Sequence, residues 1–290
     1  MLCGAGVRFR VASRQPADQT FGFASSALSC PPVQLLSGYG ARGTSTRARA
    51  APPASPSSPS SGGLVAGEVI NKVPTAVGMT PRLYGYILQH TREPEVLRQL
   101  RAETAGVHGA HMQITPEQGA LLALLVELSG ARRVVEVGTF TGYSSLAMAL
   151  ALPAEGRLVA LDIDEQPVQM ARKYWQLAGV GERVEARIGP ALASLQQLLE
   201  QEGPGSYDMA FIDADKRSYD AYYEMLLQLV RPGGLIAIDN TLFFGRVVEP
   251  QADDKAGIAL RDLNAKLLRD ERVSVSMVPI GDGMTLCRRR

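Results

Sequence analysis

Between residues 133 and 238 five segments of strand length, most of them apolar, alternate with four helical segments, and that rhythm admits few folds. The runs lie at 133–137, 157–161, 184–188, 207–212 and 234–238, with helical spacing at 144–150, 166–179, 191–200 and 218–230 between them. Strands joined through helices pair in parallel, and strands apolar along their length are buried on both faces. The reading is an α/β, doubly wound sheet. The C-terminal end breaks the rhythm. After a helix near 258–269, strands at 273–279 and 285–289 flank Ile280-Gly281-Asp282-Gly283, a hairpin signal, so an antiparallel pair closes a seven-stranded sheet. Ahead of the sheet, helical spacing covers 81–90 and 93–104. Thr115 then reads as an N-cap with Pro116 at the first helical position, opening a helix over 119–128.

Open α/β sheets bind ligands at the carboxyl edge of their strands, and two acidic turns fall there: Phe211-Ile212-Asp213-Ala214-Asp215-Lys216 and Leu235-Ile236-Ala237-Ile238-Asp239-Asn240. Asp213, Asp239 and Asn240 offer three hard oxygen donors to one cation, a set suited to Mg²⁺, which fills its octahedron with water or substrate oxygens. Caps and turns also place Asp and Asn at strand ends, so one turn alone is weak and the pair is stronger. After the first strand comes Glu136-Val137-Gly138-Thr139-Phe140-Thr141-Gly142, a glycine turn without the third glycine of a dinucleotide fingerprint. Glu136 would repel a diphosphate and suits the ammonium of an amino acid. Asp162, 24 residues after Gly138, stands where an acid accepts hydrogen bonds from a ribose diol, and equally where a helix needs an N-cap. Together they describe a nucleoside carrying an amino acid.

Residues 1–63 do not share this patterning. They hold six arginines against one acid, Asp18, and end in a Pro-, Ser- and Gly-rich run that lacks apolar periodicity. The expectation is a disordered transit peptide or linker over 1–63. The domain would follow over 64–290, with helices at 64–130 and the sheet at 131–290. Ser and Pro abundance without a basic amphipathic helix favours a chloroplast over a mitochondrial address, with a plain cytoplasmic tail as the alternative. The formal charge is +1, and the segment's six positives and one negative leave −4 on the rest. Nothing there forms the clustered basic face of a nucleic-acid binder, and no run approaches the ~20 apolar residues of a membrane span. Beyond Cys3 and Cys30 only Cys287 remains, and no Cys/His spacing fits zinc. His90, His108 and His111 precede the sheet and read as surface or packing residues, and Trp175 as core.

With the motifs Leu83-Tyr84-Gly85-Tyr86-Ile87-Leu88, Met112-Gln113-Ile114, Glu117-Gln118-Gly119, Glu136 to Ser144, Gly189-Pro190-Ala191-Leu192, Asp213 to Lys216, Asp239 to Leu242 and Gly281-Asp282-Gly283, the chain resembles the cation-dependent O-methyltransferases that use S-adenosylmethionine. Plant caffeoyl-CoA O-methyltransferase typifies that family, with animal catechol O-methyltransferase more distant. The resemblance implies the Rossmann-like class I methyltransferase fold and a homodimer. It assigns Asp213, Asp239 and Asn240 to a divalent cation: Mg²⁺, or alternatively Mn²⁺ or Ca²⁺. It places Glu136 and Asp162 at the ribose, Gly138 and Thr139 along the turn, Ser144 and Asp215 at the methionine portion, Ala191 against adenine, and the Ile114 backbone at the cofactor. The expected substrate is a small-molecule catechol whose hydroxyl proton passes to Lys216, with Asp213 also at the reacting centre. A non-catechol acceptor, or a nucleotide-binding module without activity, are the alternatives. Several positions depart from the plant pattern: Thr75 stands where those enzymes have Lys, Phe243 where they have Trp and Phe244 where they have Asn. The stretch after Val247 lacks their paired aromatics. These departures weigh against caffeoyl-CoA itself.

Overall fold

The computed structural model describes residues 79–290, which belong to one compact unit; the expected presequence, its boundary at 63 and Thr75 lie outside the described residues. Three helices precede the sheet: α1 (Pro81–Gln89), α2 (Glu95–Thr104) and α3 (Pro116–Ser129). The expected caps form. Thr80 accepts the Leu83 N–H at 3.2 Å ahead of α1, and Thr115 and Gln118 make a capping box ahead of α3.

Strand and helix then alternate through β1 (Arg133–Val137), α4 (Tyr143–Ala151), β2 (Arg157–Asp162), α5 (Glu165–Leu177), β3 (Val184–Ile188), α6 (Ala191–Glu202), β4 (Tyr207–Ile212), α7 (Tyr219–Leu229) and β5 (Val230–Asp239). Then come α8 (Lys255–Leu267), β6 (Val273–Val278) and β7 (Met284–Arg289). The sheet has seven strands in the order β3-β2-β1-β4-β5-β7-β6. β1 to β5 are parallel, and β7 runs antiparallel to both β5 and β6. The fold expected from the sequence is the one observed.

Alternating side chains along β4 explain why both faces are covered. Met209 and Phe211 join a core with Leu122, Leu146 and Trp175 under α3 to α5, whereas Ala210 and Ile212 join Leu195, Leu198, Tyr219 and Tyr223 under α6 and α7. Each large apolar side chain fully removed from water contributes roughly 1.5–3 kcal/mol, which holds the strand ends in a fixed array.

Two boundaries differ most from expectation. β5 begins at Val230, four residues early, because Tyr207 pairs with Val230 while Met209 pairs with Leu235; the excess at Arg231-Pro232-Gly233-Gly234 is accommodated as a bulge. Helix α8 begins at Lys255, since the Asp254 carboxylate accepts the Gly257 N–H at 2.9 Å and caps it earlier than apolar spacing indicates. Among the described residues no helix is long and apolar enough to cross a membrane.

Candidate functional site

The strand order sets β1 between β2 and β4, so the turns leaving these strands meet at one edge. They are sewn together by backbone: Gly138 N–H donates to Leu161 O at 2.9 Å, and Asp213 N–H donates to Val137 O at 2.8 Å. Gly138 has φ +93°, and a Cβ there would stand 2.0 Å from the Asp213 carbonyl oxygen. Only glycine admits both that backbone angle and that approach. Asp162 Oδ2 accepts N–H bonds from Thr139 at 2.9 Å and Phe140 at 2.8 Å, and its Oδ1 accepts from Asp164 at 2.9 Å. The carboxylate thus holds the glycine turn open, with acceptor capacity left on Oδ1.

Glu136 lies at the floor of this turn. It is fully buried, and neither carboxyl oxygen has a hydrogen-bond partner among the described residues. Burial pushes its pKa from 4.5 to about 8; the Ser144, Thr139 and Ser145 hydroxyls stand near enough to oppose this without making a well-formed hydrogen bond, and the negative charge of Asp213 adds to it. A buried acid left unsatisfied beside a turn built for close approach is an acceptor set for a donor from outside the protein.

The second cluster lies at the ends of β4 and β5, whose register Ile212↔Ile238 makes Asp213 and Asp239 neighbours. Asp239 is buried; its pKa is pushed up to about 8, first by burial and then by Asp213, against the pull of Lys216 and Gln118. Asp213 Oδ1 accepts from Lys216 Nζ at 2.8 Å, and that amine also donates to the Tyr219 hydroxyl at 2.7 Å. Tyr219 is buried, which raises its pKa well above 10, with Asp213 and Asp239 raising it further. Asn240 takes φ +57°, a left-handed backbone that turns the chain out of β5. The loop it begins is pinned to the β6–β7 turn: Thr241 and Leu242 N–H groups donate to Gly283 O and Asp282 O, both at 3.0 Å, and Phe244 N–H donates to Asp282 Oδ1 at 2.6 Å. Phe243 and Phe244 are also left-handed, and Phe244 is 79 % exposed.

Other expected site residues take the places their elements dictate. Ile114 is buried in the segment ahead of α3, Ser144 is buried in the first turn of α4, and Ala191 is half-buried as the first residue of α6. Asp215 is exposed, and its carboxylate accepts from Tyr222 Oη at 2.6 Å and Ser218 N–H at 3.2 Å. His90, His108 and His111 are exposed, and Trp175 is core. No group of three or more His, Cys, Asp and Glu gathers among the described residues. Two residues without an assigned part emerge at the site: Tyr219 under Lys216, and Gln118, whose Nε2 donates to Asp239 Oδ1 at 2.7 Å. The capping signal marks Gln118 in the sequence, but not its reach to β5.

A family model described as O-methyltransferase matches residues 88–290. Tricin synthase 1 of Oryza sativa subsp. japonica is 44 % identical over 220 residues, covering 71 % of this chain and 87 % of that protein. Caffeoyl-CoA O-methyltransferase 2 of Zea mays is 45 % identical over 217 residues, covering 71 % and 82 %. The crystal structure of an O-methyltransferase from Bacillus cereus in complex with SAH superposes with a TM-score of 0.65 at 32 % identity, over 71 % of this chain and 96 % of that one.

Proposed function

This chain belongs to the O-methyltransferase family and is an enzyme that methylates oxygen from S-adenosylmethionine; on that premise we propose that its acceptor is a vicinal diphenol chelated by a divalent cation at Asp213, Asp239 and Asn240. The observation that carries the proposal is the pair of adjacent carboxylates, one of them buried, facing a single lysine at the sheet edge. Such a pair has more negative charge than its surroundings compensate, and hard oxygens attract Mg²⁺, with Mn²⁺ or Ca²⁺ as alternatives. The bound cation would supply a Lewis acid that lowers the pKa of the phenol and fixes its orientation.

The chain's own groups do the rest. Glu136 and Asp162 accept the ribose hydroxyls, Gly138 and Thr139 let the backbone approach the cofactor, and the Ile114 backbone flanks it. Ser144 and Asp215 hold the methionine portion, and Ala191 packs against adenine. Lys216 takes the hydroxyl proton, its amine kept at the reacting edge by Asp213 and Tyr219. Phe243 and the exposed Phe244 offer apolar contact to the acceptor, in place of polar groups for an acyl-CoA. The relatives' names, which speak of caffeoyl-CoA and tricin, support an aromatic acceptor. Exposed Leu124 and Leu128 on α3 support a homodimer, and the acid-poor, Arg- and Ser-rich N-terminus supports chloroplast import.

The test is methyl transfer from S-adenosylmethionine to caffeoyl-CoA, caffeate and flavonoid catechols beside their monophenol counterparts, with Mg²⁺ and with excess chelator. Turnover of the diphenols that collapses in chelator is expected. Equal rates on monophenols, or rates indifferent to chelator, would overturn the cation and acceptor assignments.

A further inference from the structure

Gln118 is buried and its side-chain amide is held from three directions. Oε1 accepts from the Thr115 backbone N–H and from Thr115 Oγ1, each at 3.0 Å, and Nε2 donates to Asp239 Oδ1 at 2.7 Å. Gly281, at φ +53°, lies across the amide: a Cβ there would come within 2.4 Å of Gln118 Cδ and Oε1. The orientation of the amide is dictated by chemistry. A backbone N–H can only donate, so the oxygen must face Thr115 and the NH₂ must face the carboxylate. One side chain therefore joins the N-terminus of α3, the end of β5 and the β6–β7 turn, across 121 residues of sequence.

We infer that Gln118 is a positioning residue that occupies one oxygen of Asp239 and aims the other into the sheet-edge site. The inference rests on the reading of Asp239 as a cation ligand. A carboxylate free to rotate can present either oxygen or both; with Oδ1 bonded to a fixed amide, the rotation is stopped and Oδ2 is the oxygen left with both lone pairs for a ligand. An ionised glutamate at 118 has no N–H to give, so it would set carboxylate against carboxylate. The gap above the amide exists because residue 281 is glycine.

The experiment is a Mn²⁺ titration of the full chain followed by electron paramagnetic resonance, alongside calorimetric titration with SAH, for the wild type, Gln118→Met, Gln118→Glu and Asp239→Asn. Expected are Mn²⁺ affinities lower by roughly ten- to a hundredfold in both Gln118 variants, with SAH affinity retained. Should Gln118→Met fail to fold, Gln118→Glu keeps the shape and the oxygen facing Thr115 and carries the test. If folded Gln118 variants bind Mn²⁺ as the wild type does while Asp239→Asn does not, Gln118 is packing only and the inference falls. If Asp239→Asn also binds Mn²⁺ as the wild type does, the cation reading of Asp239 falls instead.

Discussion

Replacing Glu136 by Gln keeps the shape of the side chain and removes its charge, so it should stabilise the ligand-free fold while weakening cofactor binding. In the ligand-free fold the carboxyl is buried without a partner and its pKa stands at about 8 against an ordinary 4.5. Between those values the folded protein holds a proton that the unfolded chain has released, so stability falls as pH rises through that window. Each pKa unit corresponds to 1.36 kcal/mol. The loss is then about 3 kcal/mol at pH 7 and approaches about 5 kcal/mol above pH 8, upper limits that hold only while the site stays dry. Glutamine has nothing to ionise and escapes this loss. At roughly 2–4 °C per kcal/mol for a domain of this size, Glu136→Gln should melt about 6–12 °C above the wild type at pH 7.

Scanning fluorimetry of the ligand-free proteins from pH 5 to pH 9 checks this. The curves should converge near pH 5 and diverge steadily towards pH 8. A constant offset across that range would refute the reasoning, because a packing effect of the substitution does not depend on pH. With SAH present the gap narrows. If Glu136 accepts ribose hydroxyls as a carboxylate, the amide loses a charged hydrogen bond of about 1.5–3 kcal/mol and SAH affinity falls roughly ten- to a hundredfold. Binding to the wild type near pH 7 should also release a proton, seen as a binding enthalpy that changes between phosphate and Tris buffers; Glu136→Gln should show no such change.

Three further outcomes follow from the geometry. Asp239→Ala should lower cation-dependent turnover by roughly a hundredfold or more while leaving SAH affinity in place, measured by initial rates and calorimetry. Lys216→Ala should slow methyl transfer roughly 10²–10⁴-fold and remove the pH dependence of the rate that belongs to the base; an unaltered pH–rate profile would count against proton acceptance. Gly138→Ala combines a left-handed backbone with a Cβ placed 2.0 Å from the Asp213 carbonyl oxygen, and should cost about 2–4 kcal/mol, read as a lowered Tm and a parallel loss of SAH binding.

The contrast between Gly138 and Gln118 shows which parts of this protein can be read from residues alone. The central parallel strands are legible because burial on both faces leaves nearly continuous apolar runs, whereas the edge strand β3, Val184-Glu185-Ala186-Arg187-Ile188, shows only alternation; the acids that end the strands are legible because the sheet edge is where polar groups return to solvent. Boundaries fail where a polar cap outranks periodicity, as at Asp254, or where Pro and Gly let a strand bulge, as at Pro232-Gly233-Gly234. Gly138 is conspicuous in the sequence as a residue that lets a ligand come close, yet the atom that excludes a side chain there is the protein's own Asp213 carbonyl. The glycine therefore sets the distance between the cofactor turn and the acidic turn before any ligand arrives. Gln118 is the reverse case. Its signal is spent on a helix cap, and nothing periodic announces that the other end of the same amide reaches Asp239. A cap is a local pattern of three or four residues, whereas a bond across 121 residues depends on how layers stack, which single polar side chains do not encode in their spacing. The residues that tie the site's two halves together are thus the ones least visible in the sequence, and a variant chosen only from strand-end acids would leave that coupling intact.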